Sequence, residues 1–361
     1  MTPASGEIAK HAANIATSMR DLRIWVYDDC MASAVAGSLD VFATANAVWQ
    51  HEQGGDVEPL LRCRVEALSG KSITTSSGVV FPLDGTIDPR ARPDAVFLPG
   101  IWCARGFPSL ASRLGELGEL FPLLRSMHER GALIAANCSA TFLLAEAELL
   151  RGTVTTTWWL AHQFRQRYPR IVLDTQRLLT EHGRVLCSGA TNAYLELALR
   201  VVERLAGRAL AASCARLLLI DANRTSQAAH ITASLQEQVQ HSDVLVQRAQ
   251  TLIQNSGRRL LTLGELAHKL RASERTLLRR FSAALGTSPI RYAQRVRIET
   301  AKALLETSSL QLPQICERIG YTDIGTFRRL FKREVGMLPA EYRRRYGRIS
   351  RRSASRARSA V

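Results

Sequence analysis

The chain has 361 residues, enough for two domains with proper cores, and its 48 Lys+Arg against 32 Asp+Glu leave a formal net charge of +16. No uninterrupted apolar stretch approaches the ~20 residues needed to span a bilayer, and the start of the chain lacks the basic and apolar blocks of a signal peptide, so a membrane or secreted protein is not expected. Seven cysteines, Cys30, Cys63, Cys103, Cys138, Cys187, Cys214 and Cys316, form no CxxC pair and no cluster at metal spacing, which argues for reduced thiols in a cytoplasm and against a zinc or disulfide framework.

In chain order, residues 1–20 read as a loose leader. The apolar run Leu22 to Tyr27 ends in Asp28 and Asp29, and Ser33 to Trp49 follows with the helical spacing of Leu39, Phe42, Ala43 and Trp49. Further apolar runs come at Arg64 to Leu68, Ala95 to Leu98, Ala132 to Ala136, Gly152 to Thr156 and Val185 to Cys187. Helix-like stretches separate several of them: Leu110 to Arg130, Thr141 to Leu150 and Asn192 to Ala206. Continuous apolar strands alternating with helices predict an α/β domain over 21–220, a mainly parallel sheet with helices on both faces. Lys71 to Phe81 and Glu181 to Gly183 read as hairpins at its edge.

One junction of this domain could carry chemistry. An apolar strand runs straight into a helix with Cys138 at the corner, between Asn137 and Ser139. A thiol at a helix N-terminus has its thiolate favoured by the backbone dipoles, although cysteine is also a small apolar residue that packs well.

Residues 221–243 are rich in Ala, Ser, Thr, Gln and Asn without steady periodicity and read as a linker. Val244 to Asn255 is helical in pattern, and a duplicated passage follows. Thr276, Leu277, Arg279, Phe281, Gly286, Pro289 and Tyr292 recur fifty residues on as Thr326, Phe327, Arg329, Phe331, Gly336, Pro339 and Tyr342. In the first copy Ser273 is an N-cap, Leu277, Phe281 and Leu285 form an apolar stripe, and Gly286 closes the helix before Ser288 and Pro289 start the next. Leu263 to Leu270 supplies a shorter helix just upstream, completing a helix-turn-helix. In the second copy Pro313 to Ile319 is the first helix, Gly320 marks the turn, and Asp323 caps a helix burying Phe327, Phe331 and Val335. The Ser, Arg and Ala tail over 348–361 reads as disordered.

Charge favours a DNA-reading pair over a structural bundle. Residues 257–361 hold 24 Lys+Arg and only 8 Asp+Glu, whereas the 256 residues before them carry 24 of each. The whole excess therefore sits on the helical repeats and their tail, where phosphate neutralisation would need it.

Residues 260–346 resemble the DNA-binding domain of AraC/XylS transcriptional regulators. The resemblance rests on "LTLGELAHKLRASERTLLRRFSAALGTSPIRY", on "RVRIETAKALLETS" and on "ICERIGYTDIGTFRRLFKREVGMLPAEYRRR". It implies a domain over 244–347 with two helix-turn-helix units joined by a rigid helix, about Pro289 to Glu306, entering successive major-groove segments about one turn, or ~34 Å, apart. By similarity, Arg275, Leu278 and Arg279, and then Ile324, Gly325, Arg328 and Arg329, face the base edges, with Ser273, Thr276 and Thr326 beside them at the helix starts. Arginine can fork onto guanine, whereas Leu278, Ile324 and Gly325 offer only apolar contact or close approach.

Residues 22–206 resemble the class I glutamine amidotransferase-like domain of PfpI type, in the version fused to AraC-type domains in GlxA-like regulators. "DAVFLPG", "ANCSATFLLAEAELLRGTVTTTWW" and "GATNAYLELALRVVERLAG" carry the likeness. In that family the corner cysteine is a nucleophile and its histidine lies in a Thr-Thr-His-Trp stretch. This chain reads Thr156, Thr157, Trp158, Trp159, so Trp158 stands where the base would be. His162 lies one helical turn beyond that point, and the loop after the first strand shows no evident glutamate near the cysteine, as some relatives have, which leaves Asp40 as the nearest acidic candidate.

The expected protein is therefore a cytoplasmic transcriptional regulator, not an enzyme, without metal or cofactor. Its first domain binds a small metabolite at Asn137, Cys138, Ser139 and Trp158, at the carboxyl ends of the strands, and forms a homodimer. Its second domain reads promoter DNA. The resemblance leans towards activation and allows contact with RNA polymerase. The alternatives are a DNA-tethered thiol amidase using Cys138 and a nucleoid-type protein without sequence choice.

Overall fold

The computed structural model describes residues 19–103, 107–221, 224, 226–227, 243–257, 259 and 261–347. Residues 1–18 of the leader predicted over 1–20, most of the linker at 221–243 and the tail at 348–361 lie outside the described residues, while Arg20 already belongs to the first strand. The chain divides into two compact units, with the boundary between Gln227 and Ala228.

The first unit opens with β1 (Arg20–Trp25), α1 (Ala32–Glu52), β2 (Leu61–Ala67), β3 (Ser72–Thr74), β4 (Val80–Pro82), β5 (Gly85–Thr86) and β6 (Ala95–Leu98). It continues through α2 (Phe107–Glu116), α3 (Leu120–Glu129), β7 (Leu133–Asn137), α4 (Thr141–Glu146), β8 (Thr153–Val154), α5 (Ala161–Arg167) and β9 (Val172–Leu173). It ends with β10 (Leu179–His182), β11 (Val185–Ser188), α6 (Tyr194–Ala206) and α7 (Arg208–Leu217). Seven strands form one sheet in the order β10-β11-β7-β6-β1-β2-β5. All neighbours run parallel except the β10–β11 hairpin at one edge.

Every residue of β6 and β7 is buried, the signature of a parallel strand covered on both faces. Helix α6 packs on β7 and against α1 and α7; α3 and α4 pack on β7 as well. Gly37 lets α1 and α6 approach closely, since a Cβ there would stand 2.4 Å from the Tyr194 ring.

Four sequence expectations change. The single helix over Leu110 to Arg130 is two helices, because Pro122 has no amide to give and its ring opposes a helical carbonyl at Gly118. The helix from Thr141 stops at Glu146, and Glu148 turns to φ 56°. Gly152 to Thr156 does not enter the main sheet; among the described residues Thr153 and Val154 pair with β9 alone, and the Thr155 amide is taken by the Thr180 hydroxyl at 3.0 Å. The hairpin within Lys71 to Phe81 forms as β3 and β4, a separate two-stranded sheet that does not extend the main edge.

The second unit is helical: α8 (Val244–Gln254), α9 (Leu263–Lys269), α10 (Glu274–Leu285), α11 (Pro289–Thr307), α12 (Leu312–Arg318), α13 (Ile324–Val335) and α14 (Pro339–Tyr346). Two separate cores lie along α11. One gathers Val246, Ala249 and Ile253 of α8 with Leu266, Leu277, Phe281 and Tyr292. The other gathers Ile298, Ala301 and Leu305 with Ile315, Phe327, Phe331, Val335 and Tyr342. The repeated tyrosines are partnered differently. Tyr292 accepts from Gln254 at 3.0 Å and Gln250 at 3.4 Å, while Tyr342 donates to Glu306 at 2.5 Å. Leu285, expected in the apolar stripe, is only half-buried, and Ala284 takes its place in the core.

Candidate nucleic-acid interface and the cysteine elbow

Each recognition helix is started by its own sequence. Thr262 and Glu265 form a reciprocal capping box on α9. The Ser273 hydroxyl accepts from the Thr276 amide at 3.2 Å to start α10, and the Asp323 carboxylate accepts from the Gly325 and Thr326 amides at 2.9 and 3.0 Å to start α13. Those bonds, led by the one from the Thr326 hydroxyl, hold the Asp323 carboxyl below its ordinary value. The helices end at Gly286 and Gly336, with φ 64° and 81°, a conformation that a side chain would strain.

Arg275, Leu278 and Arg279 are exposed on α10, and Arg328 and Arg329 are exposed on α13; Ile324 and Gly325 are half-buried at its start. Residues spaced three and four apart share a helix face, so each set forms one outward stripe. Arg275, Arg279 and Arg328 form no ion pair among the described residues. The acidic groups pair elsewhere, Glu265 with Arg259, Glu299 with Lys302 and Glu334 with Arg333.

Ser273, Thr276 and Thr326 are engaged within the helix starts. Ser273 donates to the Thr276 hydroxyl at 2.9 Å; Thr326 donates to Asp323 and accepts from Arg329 Nη2 at 2.9 Å. Replacing Ser273 with Ala is expected to cost about 1 kcal/mol of stability, read as a lower denaturant midpoint for the second unit.

One pair escaped the sequence reading. Arg280 grips Asp243 with two bonds, Nε to Oδ2 at 2.7 Å and Nη2 to Oδ1 at 2.6 Å, while Asp243 also caps α8 through the Val246 amide at 3.1 Å. This clamp fixes α8 to the back of α10 and commits Arg280 to the fold, although Arg279 beside it points outward. Asp before an apolar helical run was the available signal for the cap; the partner Arg, 37 residues away, left none.

In the first unit, β7 delivers Asn137, Cys138 and Ser139 to a sharp corner. Cys138 holds φ 56°, left-handed for a residue with a side chain, before a short 3-10 turn leads into α4. Asn137 donates to Ser188 Oγ at 3.0 Å, the Ser139 hydroxyl donates to the Ile101 carbonyl at 2.6 Å, and the Thr156 hydroxyl donates to the Cys138 carbonyl at 2.8 Å. Gly100 makes room, since a Cβ there would come within 3.3 Å of the Cys138 Cβ. All three corner residues are buried, and so is Trp158, whose ring meets Trp159 edge-on with centroids 5.4 Å apart. Tyr27, Gly100, Thr157 and Thr191 surround the same corner and were not foreseen, because they arrive from loops after other strands.

Burial pushes the Cys138 thiol up from its ordinary value, and the hydrogen bonds from the Ser139 backbone and from Thr157 and Thr191 only partly offset this. The thiolate is therefore disfavoured at neutral pH, against what a helix N-terminus alone would give. Its side-chain partners are the hydroxyls of Thr157, Thr191, 4.0 Å away, and Ser139, none of which is a base. Asp40 lies exposed on α1, and His162 lies in α5 beyond Trp158.

Both units have relatives in sequence. Residues 54–204 match the DJ-1/PfpI family, and residues 266–345 match a helix-turn-helix domain family. The chain is 24% identical over 285 residues to the HTH-type transcriptional regulator GbdR of Pseudomonas aeruginosa, covering 79% of this chain and 75% of that one. It is 25% identical over 285 residues to the HTH-type transcriptional regulator CdhR of the same species, covering 79% and 82%. The crystal structure of a putative transcriptional regulator protein from Vibrio parahaemolyticus superposes on 56% of this chain and all of that one, with 20% identity and a TM-score of 0.48. A stretch matching the DJ-1/PfpI family is thus followed in one chain by a stretch matching a helix-turn-helix domain family, and the relatives aligned over most of this chain are HTH-type transcriptional regulators.

Proposed function

We propose that the protein is a sequence-specific, ligand-responsive regulator in which α10 and α13 read two different segments of one promoter. The observation that carries this reading is the pair of separately capped helices whose exposed stripes differ, Arg275, Leu278 and Arg279 on one and Ile324, Gly325, Arg328 and Arg329 on the other. Phosphates are met by the basic surroundings, while these stripes meet base edges. Footprinting on the upstream region of its own gene, with competitor DNA present, should show protection of two unlike segments about one turn apart. Affinity should fall by about 10³–10⁵ between 50 and 200 mM salt if six to ten phosphates are contacted. Equal affinity for random duplexes would instead mark a nucleoid-type protein.

The first unit acts as the sensor. Asn137, Cys138, Ser139 and Trp158 line its ligand site at the carboxyl ends of β6, β7 and β11, and a homodimer transmits occupancy by favouring one arrangement of the DNA-binding units. The ligand is a small metabolite, and activation is the expected outcome. Support for a binding role over an amidase comes from the raised Cys138 thiol, the hydroxyl at 4.0 Å in place of a base, and the indole of Trp158. Alkylation of Cys138 by iodoacetamide, followed by mass spectrometry, should be slow at neutral pH and rise only above the ordinary thiol range of about 8.5. Rapid, selective labelling at neutral pH with turnover of a simple amide would revive the enzyme.

A further inference from the structure

The second unit contains a cavity of about 200 Å³ enclosed by the end of α8, the middle of α11 and the end of α12. It therefore borders both helix-turn-helix halves, since α8 and the first half of α11 belong to one core and α12 to the other. Its polar lining consists of Gln254, Ser256, Thr300, Arg297 and Arg318, and no carboxylate lines it among the described residues.

Arg297 is the unusual member. It is only 5% exposed, Nη1 is sealed from solvent without a hydrogen-bond partner, and the guanidinium makes no ion pair among the described residues. Burial lowers its proton affinity, and only the Tyr321 phenol acts in the other direction. Burying a cation without a partner is strongly unfavourable, and lone guanidinium donors in a dry wall are rare for that reason. Arg297 lines the cavity, a guanidinium's planar fork of N–H groups matches the oxygens of a carboxylate or phosphate, and Arg318, exposed at the cavity edge, adds a second positive charge.

We infer that this cavity binds a small free oxyanion, of phosphate or carboxylate type, gripped by Arg297 with Arg318 at the mouth. The bound anion completes the shell of Arg297 and ties α12 to α8 and α11, so that it braces the two reading heads against each other. It is separate from the recognition stripes and from the Cys138 corner.

The test uses the full chain without DNA and inorganic phosphate as the probe, titrated against chloride at constant ionic strength, with calorimetry and thermal unfolding as readouts. Wild type should show saturable binding and a phosphate-dependent rise in Tm, and Arg297→Met should abolish both. Arg279→Ala, on the recognition stripe, should bind phosphate as wild type does. Because Arg297→Met could fail to fold, Arg318→Glu serves as the second variant: it reverses charge at an exposed position and should weaken phosphate by about tenfold or more, or about 1.4 kcal/mol. Absence of saturable binding in wild type, unchanged binding in Arg318→Glu, or equal binding in a folded Arg297→Met overturns the site. Stoichiometric displacement of phosphate by duplex DNA would assign Arg297 to the DNA backbone and overturn the free-anion reading.

Discussion

Arg329→Ala should weaken binding to the cognate duplex by about 1–3 kcal/mol while barely changing affinity for a random duplex of equal length. The effect should map to one or two base pairs under the α13 half-site, read by a binding series over single-base variants of the operator. The structure gives Arg329 an advantage over its repeat partner: Nη2 rests on the Thr326 hydroxyl, itself tied to the Asp323 cap, so the guanidinium is held in place before DNA arrives. Arg279 has no such support among the described residues. Arg279→Ala should therefore cost less in specific affinity, because part of its fork must be ordered on binding. If Arg329→Ala weakens every sequence equally, the side chain clamps phosphate and the base-contact assignment fails.

Phe331→Ala should remove about 3–5 kcal/mol, a large share of what a small domain has in hand. Phe331 is fully buried, packs against Phe327 with centroids 5.6 Å apart and against Tyr342 edge-on at 5.6 Å, and belongs to a core of only about a dozen side chains. Its loss opens α13 against α14 and α11 at once. DNA binding should disappear, and the second unit's unfolding transition should fall well below the wild-type one in differential scanning calorimetry. The first unit has its own core of sheet residues, so its transition should persist. A wild-type-like melting of the second unit would mean that the core reseals around the void.

The helical half of the chain was legible because its signals are local. Ser273, Gly286, Ser288, Pro289, Asp323 and Gly336 each act within four residues of themselves, and the structure places each cap and stop where the residue type demands. The parallel sheet was legible for a similar reason, since β6 and β7 are buried along their whole length and so read as unbroken apolar runs. What escaped depends on partners distant in sequence. The break between α2 and α3 needed Pro122 to be weighed against a strong apolar periodicity. The pairing of Asp243 with Arg280 and the isolation of Arg297 inside a cavity have no local trace at all.

The Cys138 corner shows the same limit. Its sequence context, small residues around a thiol at a strand-to-helix turn, suggests an activated nucleophile, and only the depth of burial reverses that inference. Dipoles at a helix start stabilise a thiolate by a modest amount, whereas removing the sulfur from water penalises the charge more.

The two cores of the second unit share one continuous helix, the 19 residues of α11, about 28 Å from end to end. Such a helix sets both the separation of the reading heads and the angle at which each meets the duplex. Inserting a single residue would turn one head by about 100° relative to the other, away from the DNA that its partner holds. Lineages can therefore exchange side chains on the outer surface of α11 freely, but they cannot lengthen or shorten it by ones and twos. The operator spacing recognised by such a protein is inherited as a fixed quantity, while the bases within each half remain open to change.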